Sequence, residues 1–163
     1  MIDIDFSTTI RQFSKKLGDD FKKLENTQVP LKRSGLFMLK STDDNFRKES
    51  TPDGVKWAKW APLRPATIAQ RRKGTRKVGG RIAGDMILQD TGQLKRSVET
   101  IHSLTKTVMS IRARRKSGAD DIAAKHQFGE GRVPQRKYLG FSNEDIDANV
   151  EIFADWVMEV LDQ

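Results

Sequence analysis

Phe6, Ile10, Phe13, Leu17, Phe21 and Leu24 recur in steps of three and four. That spacing puts six large apolar side chains on one stripe of a helix, with charged residues behind it. The chain closes in the same way. Ile146, Val150, Phe153, Val157 and Val160 repeat at helical spacing, Trp156 and Leu161 widen the stripe, and Ser142 caps the start. A further helical stretch opens at Pro30, with Leu31, Leu36, Leu39 and Phe46 roughly on one face and Asp43, Arg47, Lys48 and Glu49 in solvent. Long one-sided helices at both ends need something apolar to lie against, and the middle of the chain has to supply it.

In that middle, TPDGVKWAKWAPLRPAT reads as an ordered loop: Pro-Asp-Gly makes a turn, Pro62 and Pro65 interrupt regular structure, and Trp57 and Trp60 offer two amphipathic rings. Thr67 to Arg72 forms a short helix. Residues 71–84, RRKGTRKVGGRIAG, hold six basic residues, four glycines and no acid, and so predict a mobile loop. Asp90 or Thr91 caps a short helix through Leu94 and Val98. The period then changes to two: Ile101, Val108 and Ile111 predict a hairpin turning near Leu104 and Thr105. After a second basic cluster (Arg112, Arg114, Arg115, Lys116), Asp120 to His126 reads as a helix stopped by Gly129, and Tyr138, Leu139 and Phe141 as one more strand. The expected architecture is a single α+β domain over 1–163. A small antiparallel sheet packs with the long terminal helices, and a long basic loop lies between them.

Thirty Lys and Arg against 22 Asp and Glu give a net charge of +8, which favours an acidic partner: DNA, an acidic protein surface or an anionic membrane. With no cysteine there is neither a disulfide framework nor a thiolate metal site. The N-terminus lacks the pattern of a secretory signal, and no stretch approaches the roughly 20 apolar residues that span a bilayer, so a soluble protein with no membrane partner is expected.

Catalytic chemistry is poorly supplied. His102 and His126 are the two histidines, and a zinc site would need carboxylates brought in by the fold. Gly79, Gly80 and Gly84 do not follow GxGxxG, and no GK[ST] follows them. The carboxylate pairs Asp43 and Asp44, Asp120 and Asp121, and Glu144 and Asp145 sit where they cap or solvate helices. No G-x-S-x-G marks a nucleophile. No catalytic residue, metal or cofactor is expected. Cations on flexible segments can meet phosphates or carboxylates without a preformed pocket, which makes Arg71, Arg72, Lys73, Arg76, Lys77, Arg81, Arg114 and Arg115 candidates for DNA or an acidic partner. The alternative for them is a solvated charge run.

Four segments occur in order: PDGVKWAKWAPLRPATIAQRRKG, ILQDTGQLKRSV, AAKHQFG and VPQRKYLGFS. Together, over about residues 46–142, they resemble the phage virion morphogenesis family, also called tail completion proteins. The family pattern falls on Pro52, Gly54 and Trp57; on Asp90, Thr91, Gly92, Leu94 and Ser97; on His126, Phe128 and Gly129; and on Pro134, Arg136, Leu139 and Gly140. Lys137 and Tyr138 depart from the Pro and Phe of the family's last segment. The resemblance implies a non-enzymatic virion protein, assembled in the host cytoplasm, at the neck or head-proximal end of the tail. It implies a homo-oligomeric ring, commonly a hexamer, touching neighbouring neck and tail proteins and the packaged DNA in the channel. Trp57, Trp60, Asp90, Thr91, Gly92, His126, Phe128, Gly129 and Arg136 are the expected subunit or partner interface. A tail terminator that fixes tube length, and a nonspecific nucleic-acid-binding protein, are the alternatives.

Overall fold

The computed structural model describes residues 7–59, 61–73, 85–102, 109–113, 116–117 and 120–162. The terminal periodicities produce the expected helices: α1 (Ser7–Leu24), α2 (Gln28–Lys48) and, at the end of the chain, α6 (Asn143–Leu161). Ser142 starts α6 with a capping box. Its hydroxyl accepts from the Asp145 N–H at 3.0 Å, and the Asp145 carboxylate accepts from the Ser142 N–H at 2.9 Å. α6 lies against α2 and meets α1. Arg33 on α2 forms a two-pronged pair with Glu159 on α6, both contacts at 2.9 Å, but both groups are solvated and add little stability.

α2 organises the core. Its last turn delivers Phe46 edge-on to Trp57, with centroids 6.1 Å apart, and tilted against Tyr138 at 5.2 Å. Ile87, Leu88, Leu94 and Ala123 close round these rings. The helix stops at Glu49, a non-glycine residue in the left-handed region at φ 51°, whose N–H returns to the Asn45 and Phe46 carbonyls. Its carboxylate accepts from the Ile87 N–H, so the strained residue also catches a distant segment. The Gln89 side chain donates to the Phe46 carbonyl at 2.7 Å and secures the same strand of chain.

Between these helices run a 3-10 turn (Trp57–Lys59), α3 (Pro65–Lys73), α4 (Gln93–Arg96), β1 (Val98–His102), β2 (Met109–Ala113), β3 (Lys116–Ser117), β4 (Asp120–Asp121) and α5 (Ile122–Phe128). β1 and β2 pair antiparallel from Val98↔Ala113 to His102↔Met109. The expected turn of this hairpin lies outside the described residues, as does 74–84 of the expected basic loop 71–84, whose first three residues instead complete α3 as helix.

The expected α+β architecture does not hold. The protein is mostly helical, and its described strands amount to two two-stranded ribbons, with no sheet for the helices to cover. The strand expected at Tyr138, Leu139 and Phe141 is irregular chain. Its backbone groups are taken by side chains instead. The Gln127 carboxamide accepts from the Tyr138 and Leu139 N–H groups, both at 3.1 Å, and donates to the Leu139 carbonyl at 2.7 Å, while Asn45 donates to the Tyr138 carbonyl at 3.3 Å. A segment satisfied in this way has no need of a strand partner, and the β1–β2 hairpin stays an accessory resting on α2. The cap expected from Asp90 or Thr91 is also different. Gly92, left-handed at φ 67°, occupies the N-cap of α4, and the Thr91 hydroxyl makes only a long 3.4 Å contact to the Gln93 N–H.

Candidate functional site

The chain from Ala61 to α3, the end of α5 and the loop after it enclose a cleft of about 580 Å³. Pro62, Leu63, Leu88, Val133 and Pro134 give it apolar walls, and Arg64, Arg71, Arg132, Arg136 and His126 supply its polar groups. Gly129 makes this arrangement possible. It ends α5 in the left-handed region at φ 76°, its N–H bonded to the Lys125 carbonyl at 2.9 Å, and a Cβ there would sit 2.8 Å from that of Gln135. The chain therefore doubles back on the helix, and the Arg136 N–H reaches the His126 carbonyl at 2.7 Å.

Arg136 is a buried strut. Its Nε and Nη2 donate to the Ala61 carbonyl at 3.0 and 2.7 Å, locking the loop before α3 to the loop after α5. Burial, and then the neighbouring Arg71 charge, lower its affinity for the proton. Arg71 is held from the other side, with Nε 3.4 Å from the Asp90 carboxylate and Nη1 donating to the Met86 carbonyl at 2.8 Å. His126 lies partly buried beside Arg136. Burial first and Arg136 second depress its pKa to about 4, so the imidazole is neutral at physiological pH. Its Nδ1 is buried with no hydrogen-bond partner among the described residues. Arg64 and Arg132 are exposed, and neither forms an ion pair among the described residues. The cleft is thus a positively charged, apolar-walled recess with two exposed guanidinium groups, a geometry suited to a carboxylate or phosphate carried on an apolar segment.

The expected interface residues divide. Asp90, His126, Gly129 and Arg136 gather at this cleft or brace it, and Thr91 and Gly92 turn the chain into α4. Phe128 is well exposed beside them. Trp57 is wholly buried in the core, its indole N–H donating to the Lys137 carbonyl at 3.2 Å. Of the basic candidates, Arg71 lines the cleft, Arg72 pairs with Asp85, and Lys73 ends α3. Trp60, Arg76, Lys77, Arg81, Arg114 and Arg115 lie outside the described residues. Sequence reasoning missed Arg64 and Arg132, which stand alone in the chain with no charge cluster to flag them. It also missed Gln127, whose bonding pattern has no sequence signature.

Among the described residues, no three His, Asp or Glu side chains group to hold a metal ion, and no helix is long and apolar enough to cross a membrane. Residues 7–158 match the phage virion morphogenesis family, nearly the whole chain. No curated protein and no solved structure gives a significant match.

Proposed function

Since the chain belongs to the phage virion morphogenesis family, we propose that it is a structural subunit that completes the tail or neck of a tailed bacteriophage and enables the head to join it. Membership itself associates the protein with the bacteriophage virion and its assembly. The finer reading is a homo-oligomeric ring, a hexamer, around the DNA channel, in contact with neighbouring neck and tail proteins. The match over residues 7–158 carries this reading. The cleft supports it from the chemical side, because Arg64 and Arg132 present exposed positive charge beside apolar walls, as a site for an acidic segment of an assembly partner requires. The role proposed is assembly rather than catalysis.

Electron microscopy of a lysate from a phage lacking this gene tests the reading. Filled heads beside separate tails of normal length are the expected result. Tails of abnormal length would instead identify a terminator that caps the tube. Intact, infectious virions would overturn the proposal.

A further inference from the structure

Among the described residues, two helical faces are left without an apolar partner in the single chain. On α1, Phe13, Leu17 and Phe21 follow one another at one-turn spacing and remain 66%, 41% and 60% exposed. On α6, Ile146, Val150 and Phe153 form with Phe141 a groove of about 350 Å³, in which Phe141 and Val150 are 59% and 62% exposed. Stripes of this size seldom stay in water on a protein that works alone. Their surroundings carry opposite charge. α1 holds five Lys and Arg against two Asp, with Lys15 and Lys16 exposed between Phe13 and Leu17. α6 holds six Asp and Glu and no basic residue, with exposed Asp147 and Glu151 next to Ile146 and Val150.

We propose that the α6 groove receives α1 of a second copy of this chain, Phe13, Leu17 and Phe21 seating against Phe141, Ile146 and Val150 while Lys16, at the edge of that stripe, meets the Asp147–Glu151 rim. A helix laid by its apolar stripe into an apolar groove is a recurrent recognition mode, and the charged rims set its partner and register. The two faces differ, so the contact is head-to-tail: every subunit offers one stripe and one groove, and the series closes into a ring where the rotation between copies permits. The proposal deepens, and rests on, the reading of the protein as a self-assembling structural subunit.

Sedimentation velocity on the full chain tests it. The wild type is expected to associate as concentration rises, and less so in high salt. F13E/F21E and I146K/V150K are each expected to lose at least tenfold in association while keeping the helical circular dichroism of the wild type, because these side chains are largely solvated in the protomer. An equimolar mixture of the two variants retains one good stripe and one good groove, so it should give a one-to-one dimer that grows no further. Should either variant lose helicity, the exposed rims replace it: K16E and D147K/E151K each weaken association, and the triple variant restores it. A wild type that stays monomeric at every concentration overturns both this contact and self-assembly. Association untouched by the variants, or an α6 variant that still dimerises alone, overturns the contact and leaves self-assembly standing.

Discussion

At Gly129 a single hydrogen in place of a side chain lets α5 end and the chain return beside it. Alanine there would combine a left-handed backbone with a Cβ 2.8 Å from that of Gln135, and Gly129→Ala should cost about 1–3 kcal/mol in urea melts. His126 has an effect of opposite origin, since its burial favours the neutral ring. Folded, it resists protonation down to pH about 4, whereas the unfolded chain takes the proton below the ordinary value of 6.5. The unfolded state therefore binds more protons in that window, and stability falls as pH drops through it, by roughly 1–2 kcal/mol once partial solvent exposure is allowed for. His126→Asn should remove most of that slope from unfolding midpoints measured between pH 4 and 7.

Element by element, the helices were the legible part of the sequence. Ser142 marked the start of α6 by chemistry alone, and Ser142→Ala should lower stability by about 1 kcal/mol on thermal or denaturant unfolding. The stripes of α1 and α6 were equally plain in their period, yet period does not say what a stripe faces. α1 reads as a core helix, but Phe13 and Phe21 are exposed in the single chain. The hairpin followed from its alternation around Ile101 and Ile111, although Val98, read as part of the preceding helix, opens β1. The absence of a strand after Arg136 did not, because Tyr138, Leu139 and Phe141 are apolar enough for a ladder and the deciding groups are the amides of Gln127 and Asn45, on other elements. At the site, His126 and Arg136 were legible through family resemblance alone. A buried arginine that donates to carbonyl oxygens rather than to an acid has no local pattern to announce it.

Taken whole, the molecule hides a strong segregation behind its net charge of +8: residues 54–84 contain nine Lys and Arg and no acid, and residues 143–163 contain seven Asp and Glu and no base. Such polarity steers association more than it holds a fold together. R64E/R132E should accordingly leave the unfolding midpoint within about 0.5 kcal/mol of wild type, as for other exposed side chains without ion pairs, while reducing the yield of joined virions in a complementation assay.

The tie between Arg72 and Asp85, together with the Arg71 side chain on the Met86 carbonyl, brings the two sides of the basic stretch to a common point, and Glu49 fastens the returning strand at Ile87. The chain thus leaves and re-enters through a clasped neck. With the two ends held together, each doubling of the length of chain between them adds only about 0.6 kcal/mol of closure entropy. A short epitope inserted between residues 74 and 84 should therefore leave the unfolding midpoint almost unchanged.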